Sequence, residues 1–448
     1  MSRGLSVIIP VYNDAGNLAQ ALLALRASNL SGFELIVADD GSTDDSALVA
    51  RSFGATLVST GGRQGPAHAR NLAASVAQGD VLVFFDADVC VHRNTLEKIA
   101  AAFEDDPKLD ALIGSYDDSP KSPDFLSQYK NLMHCYVHQG GQKTASTFWS
   151  GCGAIRREVF AHHSGFSEDY ARPAIEDIEL GYRLLEHGHK VLLDASLQVK
   201  HLKRWSFWKL LKTDILDRGI PWTELILRDH CMPNDLNLQL SQRVSVALVF
   251  VLLALATYCS IAWGGYFLTP LFACLFVLLA RYWGEAASES RSKTGVVFTS
   301  VIVGSLIVLA YVYHMLALIP MILLSYGLLF LRHRHAGKGG RWWKVERFLF
   351  GSYIGLTIVV FLAHLPRHRL VYSFFLLLVL VVVLNNQFYL FLSGKRGRFF
   401  ALAAVPFHIL YHFYNGISFG VGLARHFWRS WFVRKPVGAP VHSPPERQ

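Results

Sequence analysis

Four short clusters hold residue types that could do chemistry. Asp86-Ala87-Asp88 ends the apolar run VLVFF. Two carboxylates at this spacing, just past a strand, can point into one site. There they suit a hard divalent ion that keeps water and takes its other ligands from substrate phosphates. They can equally be caps at a strand-to-turn junction. Asp39 and Asp40 precede Gly41-Ser42, and two adjacent acids at a sheet edge are costly unless exposed or bound. Ser42 or Asp44 in the same segment reads as a helix N-cap. Glu176-Asp177 opens a helical pattern that runs through Ile178, Tyr182 and Leu185. The helix dipole favours acids at such a start, and Asp177 there could also serve as a general base; the two readings are compatible. His201-Leu202-Lys203-Arg204-Trp205 follows a further predicted strand. It is either a basic surface stretch or a phosphate-facing one.

These clusters need elements to bring them together. The β-branched and apolar runs predict strands over 5–10, 33–39, 55–59 and 80–88. Helical patterns fill 17–27, 44–53 and 66–77 between them. Strands and helices alternating at this size imply βαβ units, hence an α/β fold with a mostly parallel sheet. Ligands on such sheets bind outside the carboxyl ends of the strands. Asp39, Asp40, Asp86 and Asp88 all fall at such ends.

The charge is divided along the chain. The 448 residues carry 43 Lys and Arg against 34 Asp and Glu, a net charge of +9, and 52% are hydrophobic. The first 240 residues hold 23 basic and 30 acidic groups, a net of −7; the rest hold 20 and 4, a net of +16. The acidic front speaks against nucleic acid as a partner. The six cysteines (90, 135, 152, 231, 259, 274) show no CxxC or zinc spacing, which fits a reducing, cytosol-facing front half. The apolar run at the start breaks at Pro10 and suits a buried strand better than a signal peptide.

Beyond about residue 243 the sequence turns apolar. Stretches at 244–263, 266–283, 296–331, 348–365 and 370–392 predict about six membrane spans, counting 296–331 as two. Loop 332–347, with six Lys and Arg against one Glu, is expected on the cytosolic side. GKRGR at 394–398 and the basic tail point the same way; Arg367-His368-Arg369 conflicts mildly. The segment 204–228 predicts an amphipathic helix on the membrane surface, with Trp205 and Trp208 as anchors. A core helix packed on the sheet is the alternative. The expected division is 1–203 catalytic, 204–242 interface helices, 243–398 membrane helices, 399–430 an interfacial, re-entrant or last membrane helix, and 431–448 a flexible tail.

As a set, the motifs over roughly residues 5–220 resemble the family 2 glycosyltransferases, whose catalytic domain has the GT-A fold, Rossmann-like with a mostly parallel sheet. The resemblance rests on VIIPVYND, VADDGSTDDS, GPAHARNLA, FFDADV, SGCGAIRREVF, GF and EDIELGYRL in that order. It implies that Pro10, Tyr12, Asp14 and Asp40 line the base and ribose of a UDP- or GDP-sugar, with Asp39 beside them. Family members often carry Glu where this chain has Asp14. Arg70 would approach the diphosphate. Asp88 would ligate Mg²⁺ or Mn²⁺, with Asp86 on the ribose or a metal-bound water. Asp177, paired with Glu176, would deprotonate the acceptor, giving inversion. Gly151 to Gly153 would let the acceptor approach the backbone. His201 and Arg204 would face the diphosphate, His201 standing where processive members carry the Gln of QxxRW. Six spans behind such a domain imply a lipid or lipid-linked acceptor, at the cytosolic face of a plasma or inner membrane. A processive cellulose- or hyaluronan-type synthase is the alternative, opposed by the missing QxxRW and the lack of spans ahead of the domain. A transporter or flippase with a degenerate transferase domain is the alternative of another class.

Overall fold

The computed structural model describes residues 4–170, 172–262 and 369–432, with isolated residues between 319 and 353. The expected spans at 266–283, 296–331 and 348–365, the loop 332–347, Cys274 and the tail beyond 432 lie outside the described residues or nearly so.

The front domain is a mixed eight-stranded sheet in the order β3-β2-β1-β4-β7-β6-β8-β5. Its first half follows the sequence closely: β1 (Leu5–Val11), α1 (Ala15–Arg26), β2 (Glu34–Asp39), α2 (Ser46–Ser52), β3 (Thr56–Ser59), α3 (Pro66–Val76) and β4 (Val81–Phe85). These four strands pair in parallel. The second half comprises β5 (Val89–Val91), α4 (Thr95–Asp105), β6 (Ala111–Tyr116), α5 (Phe125–Gln139), β7 (Cys152–Arg156), α6 (Arg157–His162), α7 (Glu176–Glu186) and β8 (Val191–His201). Here β4–β7, β6–β7 and β5–β8 are antiparallel and only β6–β8 is parallel. The expectation of a mostly parallel sheet therefore holds for the β1–β4 half alone. The βαβ alternation in the sequence ends at β4.

Period-2 alternation divides the sheet between two cores. Val7, Ile9, Val37, Val83 and Phe85 face α1 and α4, with Leu18, Leu22, Leu96 and Ile99. Ile8, Ile36, Leu82 and Phe84 face α3 and α7, with Ala69, Ala73, Leu180 and Leu184. Each fully buried Leu, Ile or Phe contributes about 1.5–3 kcal/mol. Pro10 is tolerated in β1 because pairing with β4 stops at Ile8 opposite Phe84, so no ladder bond needs its N–H.

Behind this domain the chain becomes helical. The 204–228 segment is α8 (Phe207–Lys212), a π-helical stretch (Thr213–Gly219) and α9 (Ile220–Asp229). The expected aromatic stripe is divided. Trp208 is half exposed, whereas Trp205 is buried with Leu126, Tyr129, Phe388 and Tyr414. Then come α10 (Leu240–Ala262), α11 (Arg369–Leu384), α12 (Asn386–Arg396) and α13 (Arg398–Phe432). Among the described residues, α10 alone is long and apolar enough to cross a membrane; α11 and α12 pass the same test together. The expected single span 370–392 is bent by 63° between them. At the bend, buried Asn385 donates to the Val381 carbonyl at 2.8 Å and to Ser245 of α10 at 2.9 Å, a side-chain insertion of the kind that breaks helices. The 399–424 stretch lies within one 35-residue helix, α13.

A buried joint ties the two parts together. Lys130 of α5 donates to Asp214 of the π-helical stretch at 2.6 and 2.9 Å, and Tyr414 of α13 donates to the same carboxylate at 2.6 Å.

Candidate active site

The carboxyl ends of β1, β2 and β4 open onto a cleft of about 780 Å³, a size suited to a small-molecule ligand. Of the residues expected at the site, all line it except Asp39 and the Gly151 to Gly153 segment.

Strand register explains the convergence. Val11 lies opposite Asp39, so Tyr12 and Asp40 emerge at the same edge. Phe85 lies opposite Cys152, so Ser150 comes up beside the turn Asp86–Asp88. That turn ends β4 earlier than the expected residue 88, and its Asp86 carbonyl accepts from Val89 N at 3.0 Å. The chain then enters β5, where Val89 lies opposite His201. His201 is thereby brought beside Asp88.

At the β1–β2 end of the cleft, the Arg63 guanidinium lies 4.3 Å over the Tyr12 ring. Asp14 is half-buried; burial raises its pKa, and a hydrogen bond from Asn17 partly offsets this. Asp40 accepts from Gln64 N at 2.7 Å and Gly65 N at 3.0 Å. It ties β2 to the loop before α3, where Gly65 has φ +103° and Pro66 takes the first helical position. At Gly41 (φ +78°) a Cβ would meet the Gly62 backbone at 2.7 Å, so the two loops require a glycine there. Asp39, expected beside the nucleotide, accepts from Ser42 N at 3.0 Å. It shapes the turn and stays out of the cleft. Asp44 caps Ala15 N of α1 at 3.0 Å and Ser46 N of α2 at 3.0 Å.

Arg70 is buried and bridges two acids: Asp86 at 2.6 Å and Glu176 at 2.9 Å. Burial opposes its charge, but Asp86, Glu176 and Asp177 outweigh this and hold its pKa above the ordinary value. The expectation that Arg70 approaches a diphosphate is thus modified: its guanidinium already holds β4 to α7.

His201 Nδ1 and Asn131 Oδ1 are 2.6 Å apart, and the imidazole stacks on Tyr116 with centroids 4.3 Å apart. A donating Nδ1–H leaves the Nε2 lone pair free, 3.6 Å from the Asp88 carboxylate. Burial would raise Asp88, but the imidazolium form of His201, with Nε2–H facing the carboxylate, and Lys203 reverse that and hold the carboxyl well below the usual range; the free Nε2 lone pair belongs to the neutral form. Among the described residues, no group of three or more His, Cys, Asp or Glu gathers as a ready metal cage. The Asp88–His201 pair fits a divalent ion that draws its remaining ligands from phosphate and water.

Asp177 stands at the start of α7. Its carboxylate accepts from Ser150 N at 3.0 Å, Ser150 Oγ at 3.1 Å and its neighbour Ile178 N at 2.9 Å. Burial first, then the Glu176 charge, push its pKa up to about 6 despite those bonds and Arg70. Helix α7 lies close because Gly181 presses against the 147–148 backbone, where a Cβ would come within 2.5 Å of Thr147. The room expected beside Gly151 and Gly153 for an acceptor is filled by the chain's own Trp149 and Phe148 rings.

Arg204 joins the cleft only at its rim; its side chain is 77% exposed and 3.9 Å from Asp124. Sequence reasoning passed over Lys203, whose ammonium lies 4.6 Å over the Trp205 ring, and Arg218 of the π-helical stretch. Lys203 stood in the quoted motif and could have been singled out. Asn131, Tyr116 and Arg218 carry no local signal.

Residues 6–164 match the family model described as Glycosyl transferase family 2. Over that span the front domain is similar to the family 2 glycosyltransferases. An uncharacterized glycosyltransferase of Haemophilus influenzae is 27% identical over 194 residues, covering 41% of this chain and 62% of that protein. Validoxylamine A glucosyltransferase of Streptomyces hygroscopicus subsp. jinggangensis is 28% identical over 222 residues, covering 41% and 52%. The poly(ribitol-phosphate) β-N-acetylglucosaminyltransferase TarS of Staphylococcus aureus is 32% identical over 117 residues, covering 24% and 20%. The chain therefore spans less than two thirds of the length of each. Among solved structures, the mannosyltransferase PcManGT from Pyrobaculum calidifontis, in complex with GDP-Man and Mn²⁺, is 19% identical at a TM-score of 0.42, covering 73% of this chain and 86% of that one. The family match ends before Glu176, so the placing of Asp177 and His201 in the cleft rests on the geometry above.

Proposed function

We propose that the protein is a metal-dependent inverting glycosyltransferase that moves one sugar from a nucleotide-sugar donor to a lipid or lipid-linked acceptor. The observation that carries this reading is a buried carboxylate of raised pKa, Asp177, lining the same cleft as the Asp88–His201 pair. The named activities of the relatives support sugar transfer. The apolar helix α10 and the +16 charge of the second half support work at a membrane's cytosolic face.

Asp88 and His201 would hold the Mg²⁺ or Mn²⁺ ion, which when bound supplies positive charge against the leaving diphosphate. Lys203 adds a fixed cation beside Asp88. Pro10, Tyr12, Asp14 and Asp40 bound the nucleotide end, and Arg204 stands at its rim. Ser150 holds the Asp177 carboxylate in place, and Arg70 holds Glu176 and Asp86. Asp177 takes the acceptor's hydroxyl proton as that oxygen bonds to the sugar's anomeric carbon. The bond from that carbon to the diphosphate breaks, and the nucleoside diphosphate leaves with the electron pair. One displacement with one base inverts the anomeric centre.

The test incubates membranes containing the full chain with labelled UDP- and GDP-sugars, followed by lipid extraction. Label in the organic phase, abolished by chelating divalent ions, is the expected result. Label confined to high-molecular-weight polymer would overturn it in favour of a synthase.

A further inference from the structure

A second cavity, of about 530 Å³, opens between α9, α10 and α13. Ile226, Val246, Phe250 and Phe419 make much of its wall hydrocarbon. Its lining shares His134, Arg218, Trp222 and Asn237 with the active-site cleft, so the two voids meet at the π-helical stretch. Three further observations bear on what would fill it. Arg218 makes no hydrogen bond or ion pair among the described residues, whereas the nearby Lys130 is committed to Asp214. His412, 1% exposed in the cavity wall, has no hydrogen-bond partner at either ring nitrogen among the described residues. One wall, α10, is the helix long and apolar enough to cross a membrane.

We propose that this cavity holds the hydrocarbon end of an anionic lipid acceptor, with its phosphate on Arg218 and a hydroxyl-bearing head group reaching on to Asp177. The inference rests on the lipid-acceptor reading and narrows it. Among the described residues Arg218 is the one charged group shared by both linings, so an amphiphile passing between them leaves its charge there. A phosphate is the head that fits, because the planar guanidinium can meet two of its oxygens at once. His412 can give one hydrogen bond to an ester or hydroxyl oxygen below the head. A plain alkyl phosphate, whose own oxygen is already anionic, has no proton for Asp177 to remove. The reacting hydroxyl therefore lies beyond the phosphate, on the head group.

The test uses the full chain in phosphatidylcholine nanodiscs and a hexadecyl phosphate bearing a photoreactive diazirine at the chain end. Label is expected on peptides from 242–250 and 411–419. Untagged hexadecyl phosphate should displace it at about tenfold lower concentration than hexadecanol, the margin of one charge-assisted hydrogen-bonded contact, and inorganic phosphate, which lacks the buried chain, should displace it more weakly still. Arg218→Gln should lower labelling about tenfold by the same margin. Ala247→Trp, which fills the cavity from α10, should lower it similarly. Val251→Trp, at an exposed site on α10 outside the cavity, should leave it unchanged. Equal displacement by hexadecanol, equal displacement by inorganic phosphate, or label spread evenly over α11 would each overturn the proposal. If membranes transfer sugar to lipid but these peptides stay unlabelled, the cavity proposal falls alone. If they are labelled while no donor yields a lipid-linked sugar, the transfer reading falls and the binding site stands.

Discussion

At the strand ends of the cleft, the key acids already have partners. Asp86 and Glu176 hold Arg70, Asp88 faces His201, and Asp177 accepts from Ser150. Along residues 203–218, lining the same cleft, the cations are left open. Lys203, Lys209, Lys212 and Arg218 make no side-chain hydrogen bond or ion pair among the described residues, and Arg204 has only its distant Asp124. The first region is organised by the protein before any ligand arrives. In the second, Lys203 rests on the Trp205 ring beside Asp88, and the other cations gain ionic partners from anions that a ligand brings. Preorganised groups should therefore govern the chemical step, and the open cations should govern binding and its salt dependence.

The largest test of that contrast is Asp177→Asn. Loss of a general base should lower transfer by about 10²–10⁴-fold, with donor binding by calorimetry nearly intact. With the pKa up at about 6, the wild-type rate should fall as pH drops through that value, because protonation removes the base. The sign for stability is opposite. A carboxyl raised in the folded state favours folding most when protonated, and that contribution is lost as pH rises through the folded pKa. The variant should accordingly unfold no earlier than wild type at pH 7. A variant that unfolds earlier, or a flat rate from pH 5 to 8, would remove Asp177 from its role.

Next in size is the joint between the regions. Lys130→Met leaves Asp214 buried with only Tyr414 as a side-chain partner among the described residues, which should cost about 3–5 kcal/mol. The midpoint of thermal unfolding reads it. Adding Asp214→Leu should recover much of the loss, because no uncompensated charge remains. A single variant as stable as wild type would mean that the π-helical stretch is held by packing alone.

A smaller effect separates positioning from contact. Asn131 touches no expected ligand but fixes the His201 tautomer through Nδ1. Asn131→Ala should weaken Mn²⁺ binding and transfer together by about 10–100-fold, whereas Asn131→Asp should restore part of both. Equal losses in both variants would indicate a packing role.

Legibility in the sequence follows the same division. The parallel half was readable because each strand there is a short apolar run that ends in an acid or a turn residue. Asp40, Asp86, Asp88 and Asp177 were found because two acids close together are conspicuous. Asp39 looked equivalent to Asp40, and only the β2 turn geometry separates them. The antiparallel pairing of β7 and β5 depends on partners distant in sequence, and so does the meeting of His201 with Asn131, 70 residues apart. Arg218 was hidden in an apparent amphipathic helix. Trp205, read as a membrane anchor, is buried because α12 and α13 return to cover it.

The smallest effect is the most direct check on the open region. Lys209 and Lys212 line the cleft without a side-chain partner among the described residues. Neutralising either one with Gln should raise KM by no more than about threefold at low salt and leave kcat unchanged, as expected for a screened surface charge of up to about 1 kcal/mol. At roughly 1 M salt the Debye length falls to about 3 Å, and the difference from wild type should vanish. The Asn131→Ala loss should persist at that salt, because a buried hydrogen bond is not screened in this way. If both deficits fade together, the strand-end groups are no more preorganised than the lysines. If the lysine deficits survive high salt, these side chains contact the ligand directly and belong with the fixed machinery of the site.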